Sequence, residues 1–164
     1  MNFLQKMMAD AALSLAVAAT AIAVPMVARA DSAALQIHDG GSYPIWAHDY
    51  QTYTSLPIPA GAVVHVVAHG TWFIYGNDRG CSAAGSDARA NNGGENGPWP
   101  IPGIREGELL VWFGGQVNHY TWHRRADGDY ETQFVSPGGN LGFGPNDNHI
   151  SDNQGHLDVH VDWR

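Results

Sequence analysis

The chain contains one cysteine, Cys81, and no lysine beyond Lys6. A lone thiol cannot close an intrachain disulfide, so cohesion must come from a packed core, aided by any bound ion. Cys81 itself is expected to be a buried or unused thiol. Past residue 30 the basic side chains are six arginines against fifteen carboxylates, a net charge of −9. A surface so acidic offers no footprint for phosphate backbones or anionic membranes, which argues against nucleic acid as a partner. It suits divalent cations. Helix-period patterning is also missing after residue 30, which argues against an α-helical domain.

The only long hydrophobic run lies at the start. Lys6 stands ahead of an alanine-rich stretch from Ala11 to Val27, and Ala28-Arg29-Ala30 has the small-x-small form of a secretory cleavage site. Residues 1–30 are therefore expected to be a signal peptide. Residues 31–164 would then form one secreted or periplasmic domain, with no stable membrane insertion after cleavage. A membrane anchor is the alternative, because the run approaches the lower length limit for a span. Pro25 and the Ala-x-Ala ending favour cleavage.

What is abundant is turn chemistry. Twenty glycines and nine prolines cut the chain into short segments. Val63–His69 is β-branched after Pro59-Ala60-Gly61; Leu109–Phe113 is apolar and stops at Gly114-Gly115. Tyr130–Val135, Asn140–Phe143 and Leu157–Trp163 also read as strands, the last with Leu157, Val159, Val161 and Trp163 on one face. Ala34–Ile37 and Tyr43–Trp46 are weaker candidates. Such a series predicts an all-β single domain, a β-sandwich or jelly roll. Residues 76–104 are too long for a hairpin turn, and loops of that length are commonly functional.

Near the C-terminus the chain reads NDNHISDNQG, Asn146 to Gly155, where seven of ten side chains carry oxygen. Calcium takes six to eight oxygen ligands from carboxylates, amides, main-chain carbonyls and water. Asp147 to Asn153 offers that mix, between two predicted strands. It lacks the glycine and terminal acid of the helix–loop–helix calcium pattern. Two carboxylates, Asp147 and Asp152, would balance one dication. A polar turn built on Asx hydrogen bonds accounts for the same residues.

The order of several segments resembles the LecA-like, galactose-binding family of bacterial calcium-dependent lectins. The similarity runs from about Leu56 to Trp163. It covers Pro59-Ala60-Gly61 with the strand to Trp72, then Ile74-Tyr75-Gly76, Pro100-Ile101-Pro102-Gly103 and Gly107–Gly114. It closes on Asn146-Asp147 and Asp152-Asn153-Gln154-Gly155. The resemblance implies that Asp147, Asp152 and Asn153 bind calcium through side-chain oxygens, and Tyr75 through its main-chain carbonyl. A further carbonyl would come from His149 or Ile150, the acidic loop being shorter than the family's. Asp152 stands where the family often has asparagine, which adds a negative charge.

In that family, two neighbouring sugar hydroxyls complete the calcium shell, and Asp147, Asp152 and Asn153 would hydrogen-bond the same hydroxyls. Each such site is weak, about 10⁻³ to 10⁻⁵ M or roughly 4 to 7 kcal/mol. A homo-oligomer would raise apparent affinity by multivalency, although the sequence leaves assembly open. The family's specificity-reading histidine and glutamine have no match on the longer loop here. Asn92, Glu95, Asn96 or Trp99 could substitute, Trp99 by stacking on a pyranose face or, alternatively, by packing the loop onto the domain. Galactose is therefore the family's sugar, carried over by analogy.

Three histidine pairs, His65/His69, His119/His123 and His156/His160, share a four-residue spacing that would chelate a transition metal on a helix. On a strand the partners stand about 13 Å apart, so solvated strand histidines are expected. Glu106/Glu108 and Asp127/Asp129 supply paired carboxylates, but no nucleophile or partner identifies an enzyme. The expectation is a non-enzymatic lectin, with a calcium-stabilised structural or protein-binding β-domain as the alternative and a small hydrolase as a third.

Overall fold

The computed structural model describes residues 36–75, 79–88, 90 and 98–164, and among these there is no α-helix. Ten strands follow in order: β1 His38–Trp46, β2 Thr52–Ile58, β3 Val63–Ile74, β4 Arg79–Cys81, β5 Leu109–Phe113, β6 Gln116–Asn118, β7 His123–Arg124, β8 Tyr130–Val135, β9 Gly139–Pro145 and β10 Gln154–Trp163. They form two sheets. The larger has the order β1-β10-β3-β8-β7, with β4 pairing the far end of β3; the smaller has the order β2-β9-β5-β6. Every strand pairing is antiparallel.

Period-two patterning explains the layering. In β3, Val64, Val66, Ala68, Trp72 and Ile74 turn inward, and in β10 Leu157, Val159 and Val161 do the same. The smaller sheet meets them with Leu109, Val111, Phe113, Leu141 and Phe143, all in one core cluster. Burying a side chain of this size contributes about 1.5–3 kcal/mol. The expected β-sandwich is what forms. Cys81 is a buried free thiol, 3 % exposed, as its sequence context suggested.

One expected strand differs from the structure, and one observed strand was not expected. At the expected Ala34–Ile37 strand, Gln36 and Ile37 have no regular structure, residues 34–35 lying outside those described. The first strand instead starts at His38 and crosses a bulge between Asp39 and Gly41, where Gly41 adopts φ +88°. Strand β2 had no clear period in the sequence. Its register shifts between Tyr53 and Pro57, and Ser55 takes φ +60°. A proline and a break in alternation both belong on an edge strand, and β2 is one.

The topology places the acidic segment. Strand β9 runs through the smaller sheet and β10 through the larger, so residues 146–153 bridge the two sheets with both ends held in ladders.

Candidate functional site

The bridging loop begins with a fully buried residue, Asn146. Its amide nitrogen donates to the carbonyls of Ile101 and Arg105, both at 3.1 Å, and its amide oxygen accepts from Ile101 N–H at 3.0 Å. Its main chain pairs with Glu108 and Gly107. Asn146 therefore clamps the 101–108 segment to the acidic loop, and its oxygen is committed to that role.

Asp147 is 2 % exposed. One carboxylate oxygen accepts from His149 N–H at 2.9 Å, so the Asx turn read in the sequence does form. Among the described residues no cation pairs with this buried carboxylate. The chain then makes a 3₁₀ turn, Ile150–Asp152. The His149 ring folds back on its own loop, 2.8 Å from Ser151 Oγ and 3.5 Å from an Asp152 carboxylate oxygen.

Asn153, 6 % exposed, donates from Nδ2 to the Ala47 carbonyl at 3.0 Å. A carbonyl can only accept, which fixes the orientation of the amide. Asn153 Oδ1 is thereby left buried without a donor. The other two buried unpaired side-chain atoms among the described residues, Gln51 Nε2 and Trp112 Nε1, are donors. Asn153 Oδ1 is the one acceptor of this kind.

Tyr75 is the turn residue that follows β3. It takes φ +55° and is 41 % exposed. The last ladder pair between β3 and β10 is Phe73↔Gln154. Two residues after Phe73 comes Tyr75 and two before Gln154 comes Asp152, so the antiparallel register brings both to the same end of the larger sheet. No group of three or more His, Cys, Asp or Glu side chains gathers around a metal-sized space among the described residues. A donor set of two carboxylates, one amide and main-chain carbonyls does not need one.

The expected sugar contacts fare differently. Trp99 is 6 % exposed and belongs with the packed residues, so the stacking role is corrected to the packing alternative: a covered ring has no face to offer. Asn92, Glu95 and Asn96 lie outside the described residues. Reading the sequence missed the Trp46–His48 segment. Ala47 receives Asn153 through its carbonyl and donates to Gly155 O at 3.1 Å. On either side of it, Trp46 is 42 % exposed, with ring contacts to His156 at 4.7 Å and His48 at 5.6 Å. Only the β1–β10 register, Trp46↔His156, reveals that proximity.

His65 and His69 keep separate partners, and His65 is half-buried between two carboxylates rather than solvated as expected. His65 lies 3.2 Å from Asp162 and 3.1 Å from Glu131, and His69 lies 2.5 Å from Asp129. Asp127 and Asp129 flank a turn in which Arg125 binds Asp127 and donates its main-chain N–H to Asp129 O. The Arg125 hydrogen bond holds the Asp127 carboxyl below its ordinary value. Glu108, 7 % exposed, finds a partner the sequence did not show, His119 Nδ1 at 3.0 Å.

The solved structure of the EclA N-terminal domain, a PllA-like lectin, is similar to this chain with a TM-score of 0.52. The match covers 76 % of this chain and 96 % of that one, at 20 % identity. At that identity the likeness establishes the fold. No family model and no curated protein matches the chain.

Proposed function

We propose that the chain is a calcium-dependent lectin of galactose type, a binding protein rather than an enzyme, exported to the periplasm or beyond. The observation that carries this reading is Asn153 Oδ1, a buried amide oxygen without a donor. It shares a short loop with Asp147, a buried carboxylate that pairs with no cation among the described residues. Buried acceptors and charges are costly unless paired or ligated to a metal, and a dication satisfies both.

In this reading Asp147, Asp152 and Asn153 hold the ion through side chains, and Tyr75 with His149 or Ile150 through main-chain carbonyls. Calcium, when bound, supplies coordination sites that two neighbouring sugar hydroxyls fill in place of water. The protein's part is orientation. The Asp147 turn to His149 N–H and the Asn153 bond to Ala47 fix the donors before any guest arrives. The sugar's apolar face would rest on the exposed aromatic segment around Trp46.

Calorimetric titration with calcium tests the metal. Asp147→Ala combined with Asp152→Ala should abolish binding, and unchanged binding would remove the assigned ligands. A glycan array with and without chelator tests the sugar. If no glycan is retained in a calcium-dependent way, the loop serves a structural or protein-binding role instead. N-terminal sequencing of exported protein should begin at Asp31.

A further inference from the structure

Far from the acidic loop, the larger sheet carries a second concavity. Strand β7 pairs β8 over only two residues, His123↔Glu131 and Arg124↔Tyr130. The preceding residue, Trp122, is 8 % exposed and donates its indole N–H to Leu109 O at 3.1 Å. That anchor draws the chain off the β8 edge, and Tyr120 stacks on Phe134 with ring centroids 4.1 Å apart. The gap left beside β8 is a cleft of about 510 Å³, lined by Tyr120, Thr121 and His123 on one side and Glu131, Gln133 and His65 on the other. A smaller cleft of about 240 Å³ shares His65 and Gln133 and continues to Asp162 and Arg164. Gln133, His65 and Asp162 are one cross-strand row. The two clefts therefore form a groove across β7, β8, β3 and β10, three strand spacings or about 14 Å.

The floor is cross-linked by hydrogen bonds and carries charges of both signs. His65 is clasped between Asp162 and Glu131, and Arg125 Nη1 lies 3.2 Å from the same Glu131 oxygen. The His65 hydrogen bond, with Arg125 adding to it, keeps the Glu131 carboxyl below its ordinary value. Planar donors and acceptors that are already held in place, next to an aromatic body, match a ligand rich in hydroxyls. The length matches a short oligosaccharide rather than one ring. A peptide added as a strand would find an open edge only from Thr132 to Val135, because β7 pairs the rest of β8.

We infer that this groove is a second, metal-independent carbohydrate site that takes an extended neutral glycan across the strands of the larger sheet. It lies about 26 Å along β3 from the acidic loop, counting from His65 to Phe73. One domain would then hold a glycan at two separated points.

The test is calorimetric titration of the full chain in EDTA with linear β-1,4-linked glucose, mannose and galactose oligosaccharides, from disaccharide to hexasaccharide. At least one series should bind in chelator and tighten with length. Gln133→Ala and His123→Ala, both at exposed positions, should each weaken that binding by about tenfold. Binding seen only with calcium would overturn the inference, as would equal affinity for disaccharide and hexasaccharide, or binding indifferent to both substitutions. Retention of an extended octapeptide pool in place of every saccharide would overturn it in favour of strand addition. Calcium-requiring binding is read in a separate arm, so either site can fail without the other.

Discussion

Two asparagines at the ends of one loop show how little residue type says about role. Asn146 spends its whole amide on Ile101 and Arg105, whereas Asn153 spends only its nitrogen. Asn146→Ala should cost several kcal/mol, at about 1–3 kcal/mol for each buried group left unpaired, in urea unfolding of the metal-free protein. Asn153→Ala should cost less without calcium, since one buried bond is lost and one orphaned acceptor goes with it. It should abolish calcium binding. Equal losses for the two variants in chelator would contradict these assignments. Both residues count only as oxygen-bearing side chains in the sequence pattern; burial and bond direction separate them, and neither is local.

Strand periodicity made the elements legible where one face is buried. Leu157, Val159 and Val161 were placed correctly because β10 lies inside the larger sheet with the core on one side only. Strand β2 was not legible, because Pro57 and the irregular register erase its alternation. Glycines mark another limit. A Cβ on Gly144 of β9 would collide with the Tyr50 carbonyl, a close approach that no local pattern announces. Gly144→Ala should destabilise by about 1–3 kcal/mol through overpacking, measured by thermal or denaturant unfolding. Wild-type stability would show that the chain around Tyr50 gives way.

The hairpin that carries Asp129 also makes a prediction about pH. The side-chain bond to Asp129, with its charge, raises His69 above its ordinary value of 6.5. A raised histidine contributes stability that is fully present below the unfolded value and lost as pH rises through the folded one. Glu131 is lowered, so its contribution is present above its ordinary value of 4.5 and lost as pH falls through the folded value. The melting temperature of wild type minus that of His69→Gln should therefore shrink as pH rises through neutrality. A difference independent of pH would show that the pair contributes nothing. Proton NMR of His69 should report titration above 6.5.

At the scale of the whole molecule, the acidic loop ties one sheet to the other, so an ion held there should stabilise the sandwich. A ligand that binds only the folded state stabilises it by about 2.7 kcal/mol at a hundredfold excess over its dissociation constant. Calcium should raise the melting temperature and EDTA should reverse the rise. A melting curve indifferent to both would leave Asp147 as a buried carboxylate held by hydrogen bonds alone.

The sequence by itself determined the all-β architecture, because alternation and turn residues act over a few positions, and it located the oxygen-rich segment, because composition is local. Tertiary structure decided the rest. Which oxygens are buried and unpaired, that Trp99 is covered while Trp46 is exposed, and that His65, Gln133 and Asp162 share a row all depend on strand register. Register couples residues a hundred or so positions apart, such as His65 with Asp162 and His38 with Trp163, through ladder hydrogen bonds and the inward face of the core. A linear pattern carries no record of that pairing.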